Sequence, residues 1–468
     1  MNINRFLLVG AIVTLLGGCT LAPEYTRPAA PVPADWPTGA AYQETKSAAF
    51  APTAAELPWR EFFTDERLQK IIGIALNNNR DLRLAALNVE RARAYYGIQR
   101  AELLPTVQAV GSGSKERVPA DLSSTGSVMT KERYDVNFGI SSWEIDFFGR
   151  IRSLKDRALE EYLATDEARR GTQILLVSAV ANAYLALAAD REALNLVVST
   201  LETQEASYKL IRKSYDVGLA SKLDLRRAQS QVDAAREDVA RYTQLAAQDE
   251  NALNLLVGSP MPPALLPAEL GSVSPPQEIS PGLSSELLLR RPDVLAAEHR
   301  LKATNANIGA ARAAFFPRIS LTTAIGTASA DLSGLFKSGS GTWSFAPQIA
   351  IPIFDARTWS AYDVTKVDRE ISVAQYEKAI QTAFREVADA LAVQGTVNQQ
   401  ITAQQSLVHA VAESYRLSHA RYTKGIDSYL GVLDAQRSLY GAQQGLISLR
   451  LARFTNRVTL YKVLGGGE

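Results

Sequence analysis

The sequence reads SYKLIRKSYDVG at residues 207–218 and, 207 residues further on, SYRLSHARYTKG at residues 414–425. Other segments match at nearly the same offset, such as residues 143–148 with residues 349–354. An offset that persists along a chain indicates an internal duplication. We therefore expect two copies of one structural unit, in which a long helix ends at the glycine of each quoted stretch.

The hydrophobic periodicity predicts the order of elements within each copy. Each repeat is expected to contain a helix, a β-hairpin, a very long helix, a turn with glycine and a final helix. The first repeat spans 67–258 with its hairpin near 106–147, and the second spans 286–468 with its hairpin near 318–353. A Pro-rich linker at 259–285 joins the two repeats.

The long helix of the first repeat carries an apolar stripe whose positions follow one another in steps of three and four residues. Nine of the twelve positions are apolar or aromatic, and a repeat of 3.5 residues predicts coiled-coil packing with a left-handed supercoil. An uninterrupted helix from Leu154 to Tyr215 would be a rod about 90 Å long at about 1.5 Å per residue. The stripe is Val177, Val180, Tyr184, Leu187, Arg191, Leu194, Val198, Leu201, Glu205, Tyr208, Arg212 and Tyr215.

Both hairpin stretches alternate with period two between apolar residues and small or polar ones. Ile319 and Leu321, for example, alternate with Ser320 and Thr322, whereas the phase slips by one residue at 141–142, which predicts a bulge. Such segments are typical of a transmembrane barrel, although a sheet half-buried on a soluble core would alternate in the same way. Four strands cannot close a barrel, so insertion into a membrane would require several copies.

The N-terminal segment has the features of a lipoprotein signal. An apolar run at 6–16 leads into Gly-Gly-Cys at 17–19, and Cys19 is the single cysteine. We expect residues 1–18 to be a removed signal peptide and Cys19 to carry covalent diacylglycerol and an N-acyl lipid, with no other cofactor. Thr20, rather than aspartate, follows the cysteine, which favours the outer membrane. Residues 19–66 are rich in Pro and Ala and are expected to form an extended arm.

Charge and composition exclude several classes of function. Lys+Arg 50 against Asp+Glu 49 gives a formal net charge of +1, so no nucleic acid or other polyanion is expected as a partner. The sequence contains no run of 18 or more consecutive apolar residues, which a helix would need to span a bilayer. The spacing of the three histidines is not that of metal ligands, so we expect no metal site. The sequence has no phosphate-binding loop and no nucleophile motif, so we expect no catalytic residue and no enzyme activity.

Several motifs, taken together, resemble one known family across essentially the whole chain. They look like the outer-membrane factors of resistance-nodulation-division (RND) efflux systems, most of all the OprM group and more distantly TolC. Besides the lipoprotein signal, the motifs are WREFF at 59–63, NRDLR at 79–83, WEIDFFGR at 143–150, RRPD at 290–293, AARAAFFP at 310–317 and LDAQR at 433–437.

This resemblance implies a mixed α and β membrane protein with a TolC-like trimeric barrel. Four strands from each protomer would form a 12-stranded transmembrane β-barrel, joined to a long periplasmic α-helical coiled-coil barrel. The homotrimer would sit in the outer-membrane lipid, anchored by its acyl chains and extending into the periplasm. It would passively conduct drugs and toxic compounds from an inner-membrane RND transporter and a periplasmic membrane-fusion adaptor to the exterior.

The family also implies that a ring of residues closes the periplasmic end, where the helices turn. This chain has Gly431 and Asp427 where TolC has an aspartate and an arginine, so gating by a double aspartate ring is not expected. The matching positions are Leu430, Asp434 and Arg437 in the OprM pattern, with Tyr422 and Asp224 in the TolC pattern.

Each of these gate residues has an expected role. Leu430 would form a dry constriction and Asp434 a cation-preferring ring. Three carboxylates in one ring repel each other, so we expect Arg437, or Arg226 of a neighbouring copy, to pair with Asp434.

Two kinds of alternative remain open. Within the same fold, the chain could serve type I protein secretion or copper and silver efflux, although three methionines and one cysteine offer no path of soft metal ligands. From another class, it could be a structural periplasmic coiled-coil lipoprotein without a pore. Such a protein would not need the paired strand segments.

Overall fold

The computed structural model describes residues 20–42, 54, 57–280 and 284–467. Within them, long helices alternate with two β-hairpins, which confirms the expected mixed α and β fold. The elements are α1 (Trp59–Phe62), α2 (Glu66–Asn78), α3 (Arg80–Ala101), β1 (Val107–Val118), β2 (Met129–Ile145), α4 (Arg150–Asp216), α5 (Lys222–Val257), α6 (Pro292–Ala313), β3 (Arg318–Ser329), β4 (Gly341–Ala350), α7 (Ala356–Thr423) and α8 (Tyr429–Val463).

The four strands form one antiparallel sheet in the order β1-β2-β3-β4. Each hairpin has a short connection, 119–128 in the first and 330–340 in the second, and β2 pairs with β3 across the two repeats. The pairing of β2 with β3 shifts between Ile140 and Trp143, where Ser142 has a φ of 53°. The predicted bulge is therefore confirmed.

Two boundaries differ from the prediction. Strand β4 ends at Ala350, so Ile351 and Ile353 lie beyond it. Pro352 has no N–H to donate to the ladder. Helix α7 begins directly afterwards, capped by Asp355, which accepts from the backbone N–H of Arg357. The N-terminal arm is also not extended throughout, since residues 59–62 form the helical turn α1.

Helices α4 and α7 are uninterrupted over 67 and 68 residues, which confirms the prediction of very long helices. Helix α4 contains a stretch that is long and apolar enough to cross a membrane, but most of that stretch is buried within the protein, as expected for a core helix.

The buried stripe on α4 follows the predicted register only in part. Val177, Val180, Tyr184 and Leu187 are buried, as predicted. Further along, the buried positions are Val197, Gln204 and Ile211 instead of the predicted Val198, Glu205 and Arg212. The predicted register would have buried the charges of Glu205 and Arg212, which is costly without a paired partner. A shift by one residue buries the neutral neighbours and leaves both charges accessible.

The chain folds as two compact units. Among the described residues, the first contains 20–29, 88–165 and 296–376, and therefore the sheet. The second contains the described residues within 30–87, 166–295 and 377–467. Its core includes a stack of Phe62 on Tyr461, with ring centroids 3.9 Å apart, and the Tyr461 hydroxyl donates to the carbonyl of Leu57 at 2.6 Å.

In the first unit, the N-terminal arm is bound to helix α6. Glu298, only 2% exposed, accepts hydrogen bonds from the Tyr25 hydroxyl at 3.2 Å and from Arg27 at 3.1 and 2.7 Å, and pairs with Lys302 at 3.2 Å. The arm also passes so close to Gly309 that a Cβ there would lie 2.8 Å from the Cα of Ala22. Burial raises the pKa of Glu298, but its bonds with Arg27 and Lys302 outweigh burial and hold the pKa below 4.5.

We predict that Arg27→Met lowers the free energy of unfolding by about 1–3 kcal/mol, because a buried carboxylate loses two of its donors. Glu298 has a lowered pKa in the folded state, so its stabilisation is present above pH 4.5 and is lost as the pH falls through the lowered folded-state pKa. The penalty of Arg27→Met should therefore shrink on acidification. Unfolding of the detergent-purified protein at pH 7 and at pH 4 measures both effects.

The matched control is Arg357→Met, which removes an arginine whose side chain is 92% exposed and bonded to Asp355. This variant should lower the free energy of unfolding far less than Arg27→Met does, because an exposed ion pair contributes little. Equal losses for the two variants would contradict the assigned role of the arm.

Candidate functional site

The first candidate site is one face of the sheet, which is apolar and uncovered. Phe138, Ile325 and Trp343 stand directly opposite one another across β2, β3 and β4, and their side chains are 60%, 69% and 80% exposed. Phe345 and Ile349 continue this face and are also exposed. An apolar patch of this kind on a folded chain marks a surface that meets lipid or another protein.

The other face of the sheet carries small and polar residues. Asn137 and Ser344 lie on this face, and two glycines allow β2 and β3 to approach closely. A Cβ on Gly139 would lie 2.3 Å from the carbonyl oxygen of Thr323, and one on Gly326 would lie 2.1 Å from that of Val136. The two faces therefore differ in the way that a wall between lipid and water requires.

Both outer strands of the sheet have an unpaired edge. Among the described residues, β1 and β4 each pair on one side only, and nearly all of their own residues are exposed. Backbone N–H and C=O groups at such an edge must be satisfied by water or by another strand. In hydrocarbon only another strand can do so.

The second candidate site, in the second unit, is the pair of turns that end α4 and α7. Gly218 and Gly425 have φ values of 78° and 72°, and the N–H of each donates to the carbonyl of a tyrosine three residues earlier. The N–H of Leu219 donates to Ser214, and that of Ile426 donates to Arg421, at equivalent positions of the two repeats. The duplication therefore extends to the hydrogen bonds of the turns.

The two turns pack on one apolar cluster. Its buried members come from α4, α5 and α8, and tyrosines from the ends of α4 and α7 cover it. The rings of Tyr422 and Tyr429 lie 5.2 Å apart. Burial raises the pKa of Tyr422, and the nearby charge of Asp224 raises it further. The buried members are Ile211, Ala228, Tyr429, Val432 and Leu433, and the covering tyrosines are Tyr208, Tyr415 and Tyr422.

The two turns are held by different polar contacts. In the first, Ser221 and Asp224 form a reciprocal capping box at the start of α5. In the second, Ser428 makes no such side-chain bond and Gly431 stands at the position of Asp224. There Arg421 donates to Asp427 at 2.5 and 3.1 Å and ties the end of α7 to the turn.

The predicted gate residues fall into three groups. Leu430, Asp434 and Arg437 lie on the exposed face of α8, where Asp434 and Arg437 pair at 3.6 Å. Tyr422 and Asp224 lie close together, and Asp224 acts as a helix cap. Arg226 donates to Gln229 on its own helix at 2.7 Å, and its pairing with Asp434 of a neighbouring copy stays a prediction. Cys19 lies outside the described residues.

Sequence reasoning missed two of these contacts. The capping box could have been found, because Ser221 followed three residues later by Asp224 is a known start signal for a helix. The bond of Arg421 with Asp427 has no comparable signature. It depends on the turn bringing together two side chains six residues apart.

Comparison with known proteins covers both repeats. A family model described as outer membrane efflux protein matches residues 71–259 and 283–466. The chain is 52% identical over 455 residues to two proteins of Pseudomonas putida, the antibiotic efflux pump outer membrane protein ArpC and the toluene efflux pump outer membrane protein TtgC. Each match covers 97% of this chain and 93% of the relative.

The fold also matches a solved channel. The open state of the MtrE outer membrane channel of Neisseria gonorrhoeae superposes with a TM-score of 0.84 at 38% identity, covering 96% of this chain and 98% of that one. The fold, the family model and the relatives agree with one another. The chain therefore belongs to the outer membrane efflux protein family and is an outer-membrane channel protein of an efflux pump.

Proposed function

We propose that three copies of this chain close one 12-stranded transmembrane barrel and form a passive exit duct. The observation that carries the proposal is the four-stranded sheet with one uncovered apolar face and two open edges. Because each chain supplies an even number of strands, β4 of one copy can pair antiparallel with β1 of the next. The number three follows from the family resemblance, and ring closure follows from the need to satisfy every strand edge.

Uncovered helix faces in the first unit support assembly. Tyr95 and Ile98 are exposed on α3, a helix with no buried residue in the part of the chain that the structure describes. On α7, Val364, Val367 and Ile371 are exposed at spacings of three and four residues, which places them on one face. Apolar helix faces of this kind are normally covered by a neighbouring helix.

The cargo and the partners are proposed from the names and the family of the relatives. The relatives are named for antibiotic and toluene efflux, so we propose that the duct carries drugs and other small toxic compounds. A periplasmic membrane-fusion adaptor and an inner-membrane RND transporter would deliver them. The chain itself would perform no catalysis, because a passive duct needs only an open path.

The assembly is tested by the mass of the detergent-purified particle, which should be that of a heat-labile trimer. Ile325→Arg places a charge on the apolar face near the middle of β3, and we expect it to cost about 2–4 kcal/mol per chain at the bilayer midplane. Less trimer should then reach the outer membrane. Membrane fractionation and light scattering measure the loss.

Ser344→Arg is the matched control, because Ser344 neighbours Trp343 but lies on the opposite face of the sheet. This variant should assemble nearly as well as the unmodified protein. A stable monomer in detergent, or equal loss of trimer in both variants, would count against the barrel.

The gate is proposed to be the exposed face of α8 that carries Leu430 and Asp434. The two residues are four apart and share that face, and the start of α8 lacks the side-chain cap that α5 has. Leu430 would exclude water from the closed pore, and Asp434, paired with Arg437, would ring it with charge. The MtrE channel was solved in an open state, which supports a duct of this fold that opens.

We expect the double substitution Leu430→Ala with Asp434→Ala to open the resting pore while the trimer remains intact. Conductance in planar bilayers and antibiotic uptake by cells should both rise. The control is Leu417→Ala with Glu413→Ala, an exposed leucine and acid at the same spacing on α7. If the first variant folds and conducts like the control, the gate assignment is wrong, whereas the proposal that the protein is a duct is unaffected.

The lipid anchor is proposed at Cys19. Mass spectrometry of the mature protein should find Cys19 at the N-terminus with diacylglycerol and an N-acyl chain, and an unmodified cysteine would refute the anchor. Cys19→Ala behind a cleavable signal peptide should still assemble, because the barrel rather than the lipid spans the membrane.

A further inference from the structure

A small polar cavity of about 70 Å³ lies in the second unit, away from the gate residues. The linker after α5 contributes Glu278, helix α7 contributes Gln394, and helix α8 contributes Arg453, Asn456 and Arg457. A cavity of this size holds several waters or one small ion. Its lining is unusual because two arginines share it.

The charges around the cavity do not balance. Arg457 donates to the carbonyl of Pro276 at 2.9 Å and to Glu278 at 2.5 Å, but the Glu278 side chain is 67% exposed. Burial lowers the pKa of Arg457, and the charge of Arg453 lowers it further, so that the attraction of Glu278 is outweighed. Among the described residues that line the cavity, two guanidinium groups face one carboxylate, which gives the lining an excess of one positive charge.

Two polar atoms at the cavity are buried without a hydrogen-bond partner among the described residues. They are Nε of Arg453 and Oε1 of Gln394. The Arg453 guanidinium lies over the ring of Phe454, 5.5 Å from its centroid, which does not satisfy an N–H donor. Buried donors of this kind normally bond to protein, water or a bound ion. As placed, Oε1 of Gln394 is an acceptor, and only an exchange of the amide oxygen and nitrogen would turn an N–H donor toward the cavity.

We propose that this cavity binds one small monovalent anion of the size of chloride between Arg453 and Arg457. One negative charge balances the excess positive charge of the lining, and the donors are N–H groups, which suit an anion. Arginine holds its charge when partly buried, whereas lysine readily loses a proton there. The anion would tie α8 to α7 and to the linker, and so stabilise the second unit independently of conduction.

The test uses the full-length protein in detergent. Thermal unfolding is measured at constant ionic strength while chloride replaces gluconate, an anion too bulky for the cavity, so that general screening stays the same. The Tm should rise with chloride by about 1–2 °C and then saturate, as binding to the folded state requires. Arg453→Gln should abolish the rise, Arg453→Lys should keep part of it, and Arg416→Gln, an exposed arginine on α7, should leave it unchanged.

Crystals grown in sodium bromide give a second readout that does not depend on a variant folding. An anomalous peak between Arg453 and Arg457 supports the site. The proposal is overturned if no peak appears there, if a carboxylate of a neighbouring copy occupies the position, or if the Tm is the same in chloride and gluconate.

Discussion

The constraint on which the architecture depends is that a strand edge cannot remain unpaired in hydrocarbon. The part of the chain that the structure describes supplies four strands, too few to close a barrel, so the two outer edges stay open until another copy pairs with them. In the membrane, the sheet can therefore complete its folding only together with the assembly of several copies. The exposed face formed by Phe138, Ile325 and Trp343 fits the same environment. Exposing these apolar side chains to water is unfavourable, and contact of the sheet with lipid removes that cost.

The duplication explains how one chain supplies two hairpins and two long helices, and the differences between its halves carry the specialisation. The turns after α4 and α7 share their glycines and their backbone hydrogen bonds. The first is fixed by a capping box and the second by an exposed ion pair, which contributes little in water. The two halves thus place a firmly capped helix start beside a weakly capped one.

Much of the fold could be predicted from the sequence because its signals are local and periodic. Alternation in the strands, the phase slip at 141–142 and the long helical pattern each leave a direct trace in neighbouring residues. Burial on α4 was harder, since Val197 and Val198 are both apolar, and only the charges of Glu205 and Arg212 decide between the two registers. Contacts such as those of Glu298 with Tyr25 and Arg27 join residues more than 270 positions apart and have no local signal.

The topology of the sheet also determines what the chain presents outside the cell. Helices enter and leave both hairpins at one end of the strands, so that, among the described residues, the connections 119–128 and 330–340 alone lie at the other end. When the strands span the outer membrane, these two short segments reach the surrounding medium. An antibody raised against intact cells would then meet these loops first, and sequence change in them would alter its binding without disturbing the sheet.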